Sequence, residues 1–257
     1  MILSKRVALG GVQLDEIDPS IVIRSVDPGT TKETMQTASR MGGSGQRVTM
    51  QHFDTLEPSV TYAIDLPKKR MAERRAVFDA VNAWALKKGW LAMNCLEGRR
   101  AYIDAVTLPS SGDLWNWTEE FQITFKAIGV PFWQDESPAK VSGKTAAAGT
   151  VTVQVGGNTQ SVLNATFQNK SGKTINNFTI TANGNTISLA GISLGGSATL
   201  TISHSADGLL QIRAGSTSVY EKYTGADDLY VEPGDTAVSW TADRAGILTV
   251  QSYGRWR

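Results

Sequence analysis

Residues 68–88 carry apolar side chains at the three- and four-residue spacing of an amphipathic helix. Pro67 stands at the start of this stretch, where a missing backbone N–H costs a helix nothing, and Gly89 follows its end. The pattern therefore predicts one helix over residues 68–88. Six apolar side chains share one side of it: Met71, Val77, Phe78, Val81, Trp84 and Ala85.

Alternation of apolar and polar residues predicts strands around this helix. Phe121, Ile123 and Phe125 alternate with polar residues, and successive side chains of a strand point to opposite faces. Two further strands are predicted at residues 90–96 and 100–108, joined by a tight turn. The N-terminal part is therefore predicted to be an α+β domain in which one amphipathic helix lies on a mostly antiparallel sheet.

The C-terminal part shows strand patterns throughout. Asn183-Gly184 suits a type I′ turn, which pairs Ile180 with Ile187 and Phe178 with Leu189. Similar alternating runs follow, separated by turn residues at a spacing of roughly 10 to 15 residues. Their apolar positions are Leu200, Ile202, Leu210, Ile212, Leu248 and Val250. The pattern predicts a β-sandwich, so the chain as a whole is predicted to be mainly β.

The composition of the chain changes near residue 138. Of its seven tryptophans, five lie before that point. Residues 142–205 are rich in Gly, Ser, Thr and Asn, and their only charged side chains are three lysines. Two prolines within residues 131–138 interrupt any periodicity between the two parts. We therefore predict one domain at residues 1–138 and a second at residues 139–257.

The charge balance argues against a dedicated nucleic-acid binder. The 257 residues include 25 Lys and Arg against 24 Asp and Glu, a formal net charge of +1, whereas such binders carry a clear basic excess. The single cysteine excludes an internal disulfide. No apolar run approaches the roughly 18 residues of a membrane span, and the N-terminal apolar run is too short for a secretion signal. We expect a protein that is made in a cytoplasm and does not insert into a membrane.

Candidate chemistry is sparse. The two histidines, His52 and His204, lie in different predicted domains, so no metal site is predicted. His204 is followed by the turn signal Asp207-Gly208, and we interpret it as a turn residue rather than a catalytic base. No paired nucleophile and base and no cofactor motif stand out. The chain is predicted to need no cofactor and not to be an enzyme.

The predicted helix carries the densest basic patch of the chain. It is either a solvated helix face or a contact surface for another chain. Arg74 lies four residues before Phe78, inside the apolar side, where a charge is costly unless it reaches the edge or a neighbouring chain covers it. On that interpretation Arg74→Glu is expected to weaken assembly more than folding. The basic residues are Lys68, Lys69, Arg70, Arg74 and Arg75.

Tryptophans and one glycine-rich loop are further candidates for contact with another chain. Five tryptophans in the N-terminal domain exceed what one small core usually needs, although core packing is their commoner fate. Trp115 and Trp117 share a face, as a subunit contact or a sugar platform would require. The loop from Arg40 to Gly45 is followed by a strand-like run, whereas a phosphate-binding loop needs a helix there. Arg40, Trp115 and Trp117 complete the predicted subunit interface.

A series of short motifs runs along both predicted domains, and their order can be compared with that of known families. In the N-terminal part they are Thr61-Tyr-Ala-Ile-Asp-Leu66, Asn82-Ala-Trp84, Gly98-Arg-Arg-Ala-Tyr-Ile-Asp-Ala-Val106, Phe121-Gln-Ile-Thr-Phe-Lys-Ala127 and Pro131-Phe-Trp133. In the C-terminal part they are Asp227-Asp-Leu-Tyr-Val-Glu-Pro-Gly234, Ala237-Val-Ser-Trp240 and Gly254-Arg-Trp256. This order resembles the distal tail proteins of long-tailed, siphovirus-type bacteriophages or prophages. The N-terminal part is similar to their ring domain, and the C-terminal part is similar to their galectin-like sandwich.

The resemblance implies a structural protein of the virion, at the tail tip. Proteins of this family form a six-membered ring, single or stacked in pairs, that joins the tail tube to the baseplate hub or tail-associated protein. DNA passes through the channel of the ring, and receptor-binding components often attach outside it. The near-neutral charge suits such passage, because phosphate binding needs a basic surface. The resemblance supplies no active site and no cofactor.

A carbohydrate-binding or receptor-binding module of the tail tip is the alternative interpretation. It rests on the predicted C-terminal sandwich and on Trp240, Trp256 and Tyr230. A galectin-like shape alone does not give affinity for sugar, because function belongs to the site and not to the fold.

Overall fold

The chain folds into strands and one long helix. A computed structural model describes residues 6–39, 46–67, 69–115, 120–205 and 208–257. The contacts divide the chain into two compact units, Met1–Trp133 and Gln134–Arg257. Strands dominate and their pairing is mostly antiparallel, so the predicted mainly-β fold class with one amphipathic helix is confirmed.

The first unit contains two sheets and a separate hairpin. Its described elements are β1 (Val7–Leu9), β2 (Val12–Gln13), β3 (Ile21–Asp27), β4 (Thr31–Ser39), β5 (Gln46–Leu56), β6 (Ser59–Ile64), α1 (Met71–Ala85), β7 (Gly89–Met93), β8 (Arg99–Ile103), β9 (Ala105–Thr107), α2 (Ser111–Trp115) and β10 (Phe121–Lys126). Strands β2, β1, β7 and β8 are consecutive in one sheet. Strands β3, β6, β10 and β9 form a second sheet, and β4 pairs with β5.

Helix α1 packs on the sheet formed by β3, β6, β10 and β9. The ring of Phe78 meets that of Phe121 edge to face, with centroids 5.2 Å apart, and the ring of Trp84 lies 6.0 Å from that of Phe125. Phe121, Ile123 and Phe125 of β10 are all buried. The predicted common face of these three residues is therefore confirmed, and α1 covers it.

The observed helix is shorter at both ends than the pattern predicted. It begins at Met71. The residues before it form a separate turn, in which the backbone N–H of Arg70 donates to the carbonyl oxygen of Pro67. The helix ends before Lys88 and Gly89, whose φ angles of 58° and 110° lie in the left-handed region that a right-handed helix cannot pass through. None of the helices in the described ranges is long and apolar enough to cross a membrane.

The second unit consists of strands joined by turns. They are β11 (Trp133–Asp135), β12 (Ala139–Ser142), β13 (Ala146–Val155), β14 (Ser161–Asn169), β15 (Ile175–Ala182), β16 (Asn185–Leu194), β17 (Thr199–His204), β18 (Leu210–Ala214), β19 (Thr217–Ser218), β20 (Tyr223–Gly225), β21 (Tyr230–Val231), β22 (Gly234–Ser252) and β23 (Arg255–Trp256). Strand β11 begins at the last residue of the first unit. The sheet order is β19–β18–β17–β14–β22–β15–β16–β20, with β12 and β13 also on β22 and β21 on β14.

The predicted hairpin in the second unit is confirmed. Strands β15 and β16 pair so that Ile180 lies opposite Ile187 and Phe178 opposite Leu189. Asn183 and Gly184 connect these two strands, and their φ angles are 47° and 79°. Two residues with positive φ form the type I′ turn, which matches the twist of the strands and sets this register.

Strand β22 has 19 residues and pairs along both edges. Its first part pairs with β13 and β15, and its last part pairs with β12 and β14. Val238 and Trp240 in the first part and Leu248 and Val250 in the last part are all buried. One strand therefore contributes to the core along its whole length and connects the two groups of partners.

The change of partners along β22 requires a glycine at position 246. A Cβ atom built there would stand 2.4 Å from Cζ of Phe167 and 2.6 Å from the carbonyl oxygen of Gln168. Gly246 itself is buried and pairs with Asn169 of β14. A larger residue would force the backbone of β22 away from β14.

Asp243 lies just before that point and holds the start of β15. Its Oδ2 accepts the backbone N–H groups of Asn176 and Asn177 at 2.9 and 2.8 Å. The bond from Asn176 is the main cause that lowers the pKa of the Asp243 carboxyl, and the side chain of Asn177 adds to it. Hydrogen bonds from these two backbone N–H groups are strongest when the Asp243 carboxylate is charged, so they favour the ionised form.

We expect Gly246→Ala to lower the free energy of unfolding by about 1–3 kcal/mol, as overpacking of a filled site does. The matched control is Gly195→Ala, because a Cβ atom at Gly195 meets nothing within 4 Å. That control should stay within about 0.5 kcal/mol of the parent protein. Urea unfolding measures both values. Equal stabilities of the two variants would contradict the close packing of β22 against β14.

We expect Asp243→Asn to destabilise the protein at neutral pH and to have less effect in acid. The folded pKa of Asp243 lies below its ordinary value of 3.8, so the carboxylate contributes stability that is present above that value. The contribution is lost as the pH falls through the lower, folded pKa. Unfolding free energies of the parent and variant, measured from neutral pH to below pH 3.8, should converge in acid. Asp235→Asn, at an exposed position of β22, is the control at neutral pH.

Candidate interaction surfaces

The basic face of α1, which includes Lys69 and Arg70 just before the helix and Arg75 within it, is exposed to solvent. Lys69, Arg70 and Arg75 are exposed, whereas Lys68 lies outside the described residues. Arg70 forms an ion pair with Glu73 at 3.2 Å, and Arg75 forms one with an aspartate one turn later at 3.7 Å. Exposed ion pairs of this kind contribute only about 0.3–0.5 kcal/mol to stability. Little is therefore lost when such a side chain pairs with another chain instead. The assignment of these residues to a subunit interface stays a prediction.

Arg74 has a different environment from its basic neighbours. It is only 5% exposed. Its Nη1 donates to the carbonyl oxygens of Ile64 at 2.8 Å and Leu66 at 2.9 Å. Those carbonyls stand at the end of β6, so the guanidinium ties α1 to that strand within its own unit. The sequence offered a position at the edge of the stripe or cover by a neighbouring chain as explanations for Arg74, and the structure adds these bonds within its own unit. The assignment of Arg74 to a subunit interface stays a prediction.

The described tryptophans of the first unit differ in burial. Trp84 and Trp133 are buried, and the Trp133 indole N–H donates to the carbonyl oxygen of Pro28 at 3.0 Å. Trp90 is half-buried, and the guanidinium carbon of Arg100 lies 4.2 Å from its ring centroid. Packing within the unit therefore accounts for all three. The predicted contact residues Arg40 and Trp117, and the side chain of Trp115, lie outside the part that the structure describes.

The hairpin of β4 and β5 offers edges to another chain. Among the described strands, β4 and β5 pair only with each other. One end of the hairpin is held by the Thr31 hydroxyl, which donates to the carbonyl oxygen of Pro131 at 2.6 Å, and by contact of the Phe53 and Phe132 rings. Met35 of β4 is 55% exposed. A two-stranded ribbon is marginally stable alone and its free edges pair readily with a further strand, so this hairpin is suited to contact with another chain.

A half-buried polar cluster in the second unit contains one of the two histidines. His204 is the last residue of β17, which corrects its assignment to a turn. Its Nδ1 donates to Oδ1 of Asn164 at 2.9 Å, and its Nε2 lies 2.7 Å from Oδ1 of Asp228. The phenol of Tyr230 donates to the other oxygen of Asp228 at 3.0 Å. Burial raises the pKa of Tyr230, and the Asp228 carboxylate adds to that effect, so the phenol keeps the proton that it donates.

This cluster joins strands. Both ring nitrogens of His204 are engaged by oxygens of Asn164 and Asp228. The cluster links β14, β17 and the segment that leads into β21. Within the described ranges, no group of three or more His, Cys, Asp or Glu side chains is placed to hold a metal ion.

The aromatic residues considered for sugar binding are engaged within the second unit. Trp240 is 4% exposed, and a Cβ atom at Gly149 would stand 2.4 Å from its ring carbon Cη2. The Trp256 indole N–H donates to Oδ1 of Asp135 at 2.8 Å. Trp240 is thus a core residue that lies against glycine backbone, and its ring offers no stacking platform at the surface.

The structural comparison gives the fold of the whole chain. No protein-family model matches the chain, and no curated protein matches it in sequence. The crystal structure of the SPP1 Dit (gp 19.1) protein matches it with a TM-score of 0.65 at 11% identity, covering 96% of this chain and 98% of that one. This chain shares its fold with SPP1 Dit. That protein is described as a paradigm of the hub adsorption apparatus in phages that infect Gram-positive bacteria.

A second similar structure comes from a larger assembly. A chain of the phage P2 baseplate, in its activated conformation with Ca, matches with a TM-score of 0.50 at 10% identity. The match covers 98% of both chains. Both units of the present chain therefore take part in the likeness.

Arg74→Ala should destabilise the protein, whereas Arg75→Ala should not. Removal of the Arg74 side chain takes the guanidinium donor away from the Leu66 carbonyl, whereas the Ile64 carbonyl keeps the backbone N–H of Leu66. A buried group left unsatisfied costs about 1–3 kcal/mol. Arg75 is exposed, so its loss should change the unfolding free energy by less than about 0.5 kcal/mol. Urea unfolding distinguishes the two. A similar effect of both variants would argue against the buried role of Arg74.

Proposed function

We propose that this chain is a structural protein of a phage tail tip, of the distal tail type, and not an enzyme. The observation that carries the proposal is the likeness to SPP1 Dit, which extends over 96% of this chain and 98% of that protein. The likeness to a chain of the P2 baseplate supports it. On this proposal the protein belongs to the virion and is made in the cytoplasm of the bacterial host.

We propose further that six copies form a closed ring, single or stacked in pairs. Such a ring needs two different surfaces that meet head to tail around a rotation axis. The free edges of the β4–β5 hairpin and the exposed basic face of α1 are two such surfaces on one unit. In this proposal the N-terminal domain, residues 1–138, forms the ring, and the C-terminal domain, residues 139–257, is a galectin-like sandwich attached to it.

The proposed partners follow from the place of the ring. The tail tube protein contacts one side, and the baseplate hub or tail-associated protein contacts the other. Receptor-binding proteins attach at the periphery. DNA passes through the channel without specific binding, and a formal net charge of +1 is compatible with passage, since tight phosphate binding needs many basic contacts.

The native mass of the purified protein tests the ring. Light scattering should give about six times the 27.6 kDa of one chain, or twice that value for paired rings, and negative-stain images of the same sample should show rings. A protein that stays monomeric over a wide range of concentrations, and also when mixed with its tail tube and hub proteins, would contradict the proposal.

Charge reversal on α1 tests one of the proposed contact surfaces. The triple variant Lys69→Glu, Arg70→Glu, Arg75→Glu should raise the concentration needed for ring formation at least about tenfold, which corresponds to about 1.4 kcal/mol. The matched control is Lys144→Glu, Lys170→Glu, Lys173→Glu, which makes the same charge change at exposed positions of the second unit. Light scattering over a range of protein concentrations measures the concentration at which each triple variant forms rings. Equal behaviour of the two triple variants would remove α1 from the interface.

A further inference from the structure

The second unit has a polar outer face on five neighbouring strands. Rows of paired residues cross β12, β22, β14, β17 and β18. In one row Lys140 lies opposite Gln251, which lies opposite Asn164. The alternate residues of the same strands, among them Val141, Ala165, Ile202, Ile212 and Val250, belong to the core or pack against it. The next row of this face is Ser142, Thr249, Thr166, Thr201 and Arg213.

The strands of this face carry no carboxylate of their own, and the Asp228 carboxylate that approaches Asn164 is bonded to His204 and Tyr230. Strands β12, β14, β17 and β18, together with residues 246–252 of β22, contain neither Asp nor Glu. They do contain Lys140 and Arg213, both of which are exposed. A ligand that carries a negative charge is therefore favoured here over one that carries a positive charge.

A small pocket lies within the two rows. Its volume is about 120 Å³. That is less than the roughly 300 Å³ of the smallest typical small-molecule sites, so the pocket has room for only part of a larger ligand, such as one unit of a polymer. The lining side chains that carry the argument are Lys140, Asn164, Thr166, Thr201, Thr249 and Gln251.

The histidine cluster described above holds one lining side chain in place. Oδ1 of Asn164 accepts the backbone N–H of His204 at 3.0 Å and the Nδ1–H of its ring at 2.9 Å. The ring is held in turn by Asp228. Because both bonds go to Oδ1, the orientation of the Asn164 amide is set, and its NH₂ group is the donor left for the pocket. A half-buried pair that fixes the geometry of a neighbouring amide is a feature of a preorganised binding site.

We infer that this pocket binds one sugar unit of an anionic polysaccharide. The threonine hydroxyls both donate and accept hydrogen bonds, as sugar hydroxyls do, and the amides of Asn164 and Gln251 add donors. The ammonium group of Lys140 pairs with a carboxylate or phosphate on the sugar. This site goes beyond the ring, and it does not use the aromatic residues of the second unit.

The test uses the full-length protein on a glycan array of bacterial oligosaccharides that carry hexuronic acids or sugar phosphates, beside their neutral counterparts. Acidic members should bind, and their neutral counterparts should bind at least about tenfold more weakly, since the charge pair with Lys140 is then lost. Lys140→Ala and Thr201→Val should each weaken the acidic signals at least about threefold, because each removes one direct contact of the pocket.

The matched controls are Lys144→Ala and Thr152→Val, which make the same changes at exposed positions of the same unit outside the pocket. Binding that survives in the controls and falls in Lys140→Ala and Thr201→Val supports the site. Absence of binding to every acidic member overturns it, as does binding that the pocket variants leave unchanged. Protection of this face from hydrogen exchange by another tail protein, with no sugar bound, also overturns it.

Light scattering of the same protein samples reports ring formation separately. A ring that binds no sugar would refute this site and leave the tail-tip proposal intact. A protein that binds acidic sugars through Lys140 and Thr201 but stays monomeric, also when mixed with its tail tube and hub proteins, would support the site and contradict the ring.

Discussion

Backbone hydrogen bonding along β22 ties together strands from every part of the second unit. The strand is bonded on both edges, to β13 and β15 in its first part and to β12 and β14 in its last. The remaining long strands attach through β14 and β15. Without β22, the sheet would therefore be divided into separate groups of strands, one containing β14, β17 and β18 and another containing β15 and β16. The close approach at Gly246 and the hydrogen bonds to Asp243 are the local conditions that let one strand serve both groups of partners.

The first unit shows how a charged group can act as part of a core. Arg74 occupies a position of α1 that otherwise faces apolar side chains, yet its guanidinium supplies donors to two carbonyls at the end of β6. Buried carbonyls need partners, and a long flexible side chain from a neighbouring helix meets that need. Arg70, just before the same helix, and Arg75 within it are exposed to solvent. Neighbouring basic residues thus have two different roles: Arg74 stabilises the unit from inside, and Arg70 and Arg75 are available for contact with another chain.

Local pattern was enough to predict the elements whose partners are close in sequence. The β15–β16 hairpin, the buried face of β10 and the helix α1 all follow from alternation, turn chemistry and helical spacing. The assignments that needed correction depend on distant residues. His204 follows the alternation of β17, but its polar partners Asn164 and Asp228 lie 40 and 24 positions away, and the nearby Asp-Gly turn signal was the stronger local cue. The carbonyl groups that accept hydrogen bonds from Arg74 could not be predicted from the helical pattern, because they become its neighbours only when the end of β6 packs beside α1.

The order of the strands along the chain has a consequence for synthesis. The first unit is complete when residue 133 has been made, but β12, β13, β14 and β15 all precede their common partner β22. A ribosome that adds about 5–20 residues per second therefore exposes their unpaired edges for several seconds before the second unit can close. Residues 142–205 contain no carboxylate and only three lysines, so little charge repulsion keeps those edges apart in the meantime. A nascent chain halted before β22 therefore leaves more strand edges unpaired than the complete chain does, and unpaired strand edges are sites where aggregation begins.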